Sequence, residues 1–372
     1  MEMASPPQEM PEAAPESEPK VSKKGIAGFT NIGNTCYGNA VLQALRHQVD
    51  LTLFFLQGNH KQLLKKKPAS DASLMIEAYA DIITSTWSSE GGLINTRPFW
   101  RTMIPVATKN GFGQFRVPVP HDAHEFLMLL LDVFHEVLAE EVTMTFRRPD
   151  TSGSITTGAL EFWKSSFEKK YSPLVELVFG IQHKCVKCSG CNTENTSWET
   201  MNTTELCVEK SAEPVDLLDL MSSTIYTRGS AEDAKSDIID EYACDKCKPV
   251  RPKAVVTRSL WRLGNWFIIV LKRNENSGRR INTHVNIPLS TSFAPMFHPT
   301  SEEPSGRDTY ELFSAVHHHG GAGGGHYTCQ AKHPVTGQWV HYDDESGRLV
   351  DSPRLDASTY IVMYRRVQKK SD

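Results

Sequence analysis

In HDAHEFLMLLLDVFHEVLAE, His121 to Glu140, the positions Ala123, Phe126, Leu127, Leu130, Leu131, Phe134 and Leu138 make one broad apolar stripe at helical spacing. Asp122 followed by Glu125 gives that helix an N-terminal capping arrangement. Val41, Leu42, Leu45 and Val49 step the same way after Cys36, so the first half reads as mainly helical, with a loop at Arg147–Gly158. The pattern then changes. Leu177–His183, Asn202–Cys207, Val255–Leu260, Trp266–Lys272, Glu311–His317, His326–Ala331, Gln338–Tyr342 and Tyr360–Tyr364 read as strands. Thr227–Asp240 is polar, a loop or weak helix, and HHHGGAGGGH reads as a long Gly-rich loop. Helices first and strands later predict an α+β fold with a cleft between a helical and a sheet lobe.

The 372 residues, 39% hydrophobic and 23% charged, are enough for a large core, in two or three domains or one elaborate one. A net charge of −4 offers no nucleic-acid footprint. No run reaches the ~20 apolar residues of a membrane span. Residues 1–24, acidic and Pro-rich without an apolar signal core, read as a disordered leader, and 369–372 as a tail. Eight cysteines without a signal predict reduced thiols and a cytoplasmic or nuclear setting.

Cys36 lies where the loop GFTNIGNT gives way to a helical pattern. A cysteine attacks as thiolate, and a helix N-terminus or a nearby imidazolium lowers its pKa. Asn31, Gly33, Asn34 and Thr35 supply short polar groups and bare N–H donors, as an oxyanion site requires. The competing reading is a buried, inert thiol. The partner imidazole is found far downstream at His326, after four glycines out of five and before a strand. A turn near His333–Gly337 would set two antiparallel strands side by side, so that Asp343 accepts from one ring nitrogen of His326 and leaves the other for Cys36. Most of the fourteen histidines have ordinary surface or core roles, and His317–His319 reads as a solvated loop edge rather than a metal site. Two C-x-x-C knuckles, Cys185/Cys188 and Cys244/Cys247, predict a closed, structural zinc site with four cysteine ligands. Cys188 and Cys191 form a C-x-x-C as well, which leaves the register of the first knuckle open. Cys207 and Cys329 read as core.

GFTNIGNTCYGNAVLQAL resembles the cysteine box of the ubiquitin-specific proteases. HDAHEFLMLLLD is similar to their second box, and YELFSAVHHHGGAGGGHYTC, WVHYDD and TYIVMYRR to their closing histidine box and last strands. The similarity runs from about Gly25 to Arg366 in the family's order. It implies a papain-like fold over 25–368, with a helical thumb near 25–165, zinc-ribbon fingers near 175–255 and a β-sheet palm from 256. It implies Cys36 as nucleophile, His326 as general base and acid, Asp343 as its orienting group, Asn31 as oxyanion holder, and Asp344 as a second acid sharing Asp343's role. The family's fingers pattern, with Phe179 and Gly180 ahead of the first knuckle, selects Cys185 and Cys188 with Cys244 and Cys247. The implied activity is hydrolysis of the bond after the Gly-Gly end of ubiquitin, with zinc structural and no cofactor needed for the chemistry. The implied partners are ubiquitin and ubiquitinated proteins, with an activating protein partner for some such enzymes. Ubiquitin's basic tail would suit an acidic surface. A protease for a ubiquitin-like modifier and a catalytically weak ubiquitin-binding scaffold are the alternatives. Three positions depart from the family pattern: Gly38 for a larger residue, His121 for Gln, and Asn274 for Phe.

Overall fold

The computed structural model describes residues 23–146, 154–224, 226, 237–274, 277–301, 306, 308–321 and 324–367. The helical lobe is built on Cys36–Leu45, Val49–Leu56, Asp71–Ser88, Arg97–Lys109 and Ala123–Leu138. All seven stripe residues of the last helix are buried, joined by Leu129 and Val133. The Asp122 carboxylate caps it, accepting from the N–H groups of His124 and Glu125 at 2.7 and 3.0 Å.

The sheet lobe has eight strands. From one edge the order is Ser346–Val350, Trp339–Asp343, Gly324–Lys332, Thr309–Gly321, Thr359–Arg366, Trp266–Lys272 and Thr204–Cys207, with Ser290–Ser292 added beside the path on Thr309–Gly321. Thr204–Cys207 runs parallel to its neighbour, whereas the ladders along the rest of the path are antiparallel. The run WFIIVL lacks alternation because both faces are covered: Trp266, Ile268 and Val270 join the core shared with the helices, while Phe267, Ile269 and Leu271 join a second core behind the sheet. A separate four-stranded sheet, in the order Glu194–Met201, Gly180–Cys188, Ala254–Arg262, Asp237–Ile239, carries the cysteine knuckles.

Every residue of the helix Cys36–Leu45 is buried, between Ala123–Leu138 on one side and the strands Thr309–Gly321, Gly324–Lys332 and Trp339–Asp343 on the other. Its far end is locked by Arg46. That guanidinium donates to Gln43 Oε1 and the Gly25 carbonyl, and lies 4.8 Å from the Tyr342 ring centroid. A desolvated cation–π contact of this kind contributes about 2 kcal/mol. His47 Nε2 meets the Tyr342 hydroxyl at 3.1 Å, tying the same helix end to the strand that ends in Asp343.

Several expected boundaries change. The loop expected over Arg147–Gly158 becomes helix from Ser154, in Ser154–Phe167, while 147–153 lie outside the described residues. The strand expected at Leu177–His183 starts later, after a helical turn at Pro173–Leu177, and runs from Gly180 to Cys188. The expected Gly-rich loop is mostly a hairpin: His319 pairs with His326, Gly320 with Gly325 and Gly321 with Gly324. A Cβ on Gly325 would come within 2.4 Å of the His319 carbonyl oxygen, so these glycines allow two strands to close tightly rather than to stay loose. Of the polar stretch Thr227–Asp240, Asp237–Ile239 is a strand and most of the rest lies outside the described residues, as do 1–22 and 368–372 of the expected leader and tail. No helix among the described residues is long and apolar enough to cross a membrane.

Candidate active site

Cys36 is the first residue of its helix and is only 5% exposed. Its thiol meets the backbone N–H of Tyr327, the residue after His326, together with the N–H groups of Tyr37 and of Cys36 itself. His326 is half-buried on the strand Gly324–Lys332, and its Nε2 lies 2.6 Å from Asp343 Oδ1 at the end of Trp339–Asp343. Three segments far apart in sequence therefore carry thiol, imidazole and carboxylate, with the thiol against the residue after His326 and Nδ1 left as the other ring nitrogen.

The electrostatics differ from the expected lowered thiol. Burial, the larger cause, and the negative charge of Asp344 hold the Cys36 thiol above its ordinary pKa, against the opposing pull of the three N–H groups.

Asp344 has a different position from Asp343. Its Oδ2 accepts from Asn31 Nδ2 and its Oδ1 from Asn39 Nδ2, both at 2.8 Å, and its carbonyl accepts from the Phe29 N–H at 2.7 Å. Asp344 adopts φ +42° at the turn between Trp339–Asp343 and Ser346–Val350. That turn lies so close to the chain before the cysteine loop that a Cβ on Gly28 would fall 1.9 Å from the Glu345 carbonyl oxygen. Asn31 is knotted into the loop as well, its Oδ1 accepting from Gly33 N–H, Thr35 N–H and Thr35 Oγ1, while Gly33 and Asn34 take φ +116° and +56°. Asn39 was not singled out in the sequence. Asn is a poor helix-interior residue, so its place inside the helical pattern after Cys36 was the available signal, although its partner could not be read from it.

Two of the departures have physical explanations. A Cβ on Gly38 would lie 2.4 Å from Trp100 Cη2, so the indole occupies the space of a larger residue there. His121 packs edge-on against Tyr37 and Phe115 and engages the Val117 carbonyl through Nε2. Asn274 bridges to Arg280 at the cleft beside the strand Gly324–Lys332.

The zinc set needs correction. The sulfurs brought together belong to Cys188, Cys191, Cys244 and Cys247, all within 4.8 Å of one another; Cys185 is not among them. Cys185 and Cys188 lie three apart on one strand, so their side chains leave opposite faces about 10 Å apart along it. Cys188 ends the strand, and the turn after it, with Asn192 N–H donating to the Cys188 carbonyl, swings Cys191 back. Gly190 permits this turn, since a Cβ there would crowd Pro252 and Cys247 Sγ. The Cys188–Cys247 and Cys191–Cys244 sulfur separations are 3.7 and 3.5 Å. A tetrahedral zinc with bonds of about 2.3 Å needs sulfurs about 3.8 Å apart, so the donor set fits that ion.

A buried thiol thus begins one helix, and an imidazole–carboxylate pair lies on the sheet packed against that helix. The chain belongs to the ubiquitin carboxyl-terminal hydrolase family, whose model matches residues 27–364. Rat ubiquitin carboxyl-terminal hydrolase 2 is 27% identical over 357 residues, covering 92% of this chain and 54% of that protein. Mouse ubiquitin carboxyl-terminal hydrolase 21 is 25% identical over 377 residues, covering 93% of this chain and 62% of that one. The chain thus spans little more than half the length of these relatives. Among solved structures, the yeast SAGA DUB module shares the fold, with a TM-score of 0.68 at 18% identity over 93% of this chain and 70% of that one.

Proposed function

We propose that the chain is a thiol-dependent deubiquitinating hydrolase that cleaves after the C-terminal Gly-Gly of ubiquitin. The observation that carries this is the Cys36 thiol held against the Tyr327 N–H, one residue from a His326 already paired with Asp343. Family membership supports it, and a yeast SAGA DUB module of the same fold has been solved bound to monoubiquitin.

Asp343 takes the Nε2–H of neutral His326 and fixes the tautomer, leaving the Nδ1 lone pair as base. His326 removes the thiol proton as sulfur attacks the carbonyl carbon of the terminal glycine. Negative charge passes to the carbonyl oxygen, where the N–H of Cys36 and the Asn31 amide are the donors. Collapse of the adduct breaks the C–N bond, and the imidazolium gives its proton to the leaving lysine amine. Water, deprotonated by His326, then hydrolyses the thioester and restores the thiol. Asp344 positions the donor loop through Asn31 and Asn39 and touches no reacting atom. Cys188, Cys191, Cys244 and Cys247 would hold zinc as a structural clamp. The eight free cysteines suit a reducing cytoplasmic or nuclear compartment.

The test is incubation with full-length ubiquitin carrying a thiol-reactive C-terminal warhead, beside Cys36→Ala. Labelling of the wild type alone, mapped to Cys36, is the expected result. Equal labelling of the variant, or none of the wild type, overturns the reading.

A further inference from the structure

The helix that begins at Cys36 meets the sheet at both ends. At the near end Asn39 reaches Asp344, and the thiol meets the Tyr327 N–H. The far end lies about 15 Å away along the helix axis. There Arg46, His47 and Tyr342 are buried together, none of them more than 1% exposed. Tyr342 stands directly before Asp343 in the strand Trp339–Asp343. Three consecutive side chains therefore serve three parts of the site: Tyr342 the far end of the helix, Asp343 the His326 imidazole, and Asp344 the amides of Asn31 and Asn39.

The protons at the far end follow from the partners. His47 Nδ1 lies 2.7 Å from the Gln43 carbonyl, which can only accept, so Nδ1 carries the hydrogen. Burial, the main cause, and the Arg46 charge drive His47 well below its ordinary pKa, so the ring is neutral and Nε2 keeps its lone pair. Burial also holds the Tyr342 hydroxyl above its ordinary pKa, so it stays protonated and donates to Nε2 at 3.1 Å. The Tyr342 ring is held on both sides. The Arg46 guanidinium lies 4.8 Å from its centroid. Gly347 faces it from the next strand, so closely that a Cβ there would fall 3.0 Å from Tyr342 Cε1. Arg46 and Gln43 in turn grip the chain ahead of the cysteine loop, donating to the Gly25 and Ala27 carbonyls at 2.7 and 2.9 Å.

We propose that Tyr342 and His47 are positioning residues for the reaction: their hydrogen bond fixes the tilt of the cysteine helix against the strand that carries Asp343, and so the reach from the Cys36 sulfur to His326. The proposal rests on the hydrolase reading above and adds to it two residues that touch no reacting atom. A helix held only at its near end can pivot about the Asn39–Asp344 contact. Held at both ends, it tilts only by breaking a buried hydrogen bond and leaving the His47 lone pair unsatisfied. A displacement of about 1 Å at the sulfur is enough to slow the chemical step while substrate binding is unchanged.

Two variants test this, with circular dichroism confirming that each is folded. Tyr342→Phe removes only the hydroxyl. Tyr342→Phe/His47→Leu removes both ends of the bond, so that the His47 lone pair is not left orphaned. On ubiquitin carrying a fluorogenic C-terminal amide, kcat should fall about tenfold in both variants while KM stays within about twofold. A merely structural role would weaken Tyr342→Phe and be relieved in the double variant. Wild-type kcat in either variant, or a loss confined to KM, therefore overturns the proposal. A second measurement needs no ubiquitin and keeps the two readings apart: alkylation of Cys36 by iodoacetamide, mapped by peptide mass. It should slow about fivefold in both variants, as the imidazole loses its reach to the thiol proton. Slowed alkylation supports the positioning role even if the wild type leaves ubiquitin uncleaved. An unchanged or faster rate overturns that role even if the wild type is an active hydrolase.

Discussion

Both carboxylate oxygens of Asp344 are held by side-chain amides, one on the loop before Cys36 and one on the helix after it. Its charge also raises the thiol. The two effects predict opposite responses to one substitution. In Asp344→Ala, freeing Asn31 and Asn39 should lower kcat/KM on a ubiquitin substrate by about a hundredfold through misplacement of the donor loop. Removing the negative charge should at the same time lower the Cys36 pKa, so that alkylation by iodoacetamide becomes faster at neutral pH and its profile moves to lower pH. An alkylation profile that stays put would show that Asp344 acts on the thiol only through geometry. At this scale the sequence was informative where chemistry leaves a residue pattern. Cys36, His326 and Asp343 stand out because the proposed nucleophile, base and orienting acid need particular residue types, and the structure pairs His326 with Asp343. Asn39 did not, because a partner 305 positions away is invisible until the chain is folded.

Elements were legible where one period dominates. The stripe of Ala123–Leu138 and the run Trp266–Lys272 could be read directly, the first from helical spacing and the second from an apolar run of strand length. The hairpin Thr309–Gly321/Gly324–Lys332 was harder, because its glycines carry no periodicity and read as a loop. The first zinc knuckle had two overlapping C-x-x-C registers, and spacing alone favours neither. What decides is that the strand continues to Cys188; the turn pair Ser189-Gly190 inside C-S-G-C was the local signal. Cys191→Ser should therefore lose bound zinc, as should Cys247→Ser, and should unfold the strand ends around the knuckles. Cys185→Ser should retain one zinc per chain. Elemental analysis of the purified variants decides, and zinc loss in Cys185→Ser with retention in Cys191→Ser would restore the register first expected.

For the whole molecule, acid is the predicted weakness. His183, His317 and His318 are buried and pushed down to about 4, and His47 is also driven well below its ordinary value, in each case mainly by burial. The unfolded chain takes up these protons near pH 6.5 while the folded chain refuses them. Stability should be full above about pH 6.5, fall as the pH drops below it, and level off near pH 4 for these groups. Urea midpoints at pH 7.5 and pH 5 test this, and equal midpoints would contradict it. The largest scale also sets when the site can exist. Cys36 and His326 are nearly three hundred residues apart, and the turn carrying Asp343 and Asp344 comes later still. At a synthesis rate of about 5–20 residues per second, Cys36 leaves the ribosome roughly 15–60 s before His326. On the hydrolase reading, the growing chain holds an unarmed thiol throughout that interval, and newly made copies act only once the closing strands have been made and the sheet has formed.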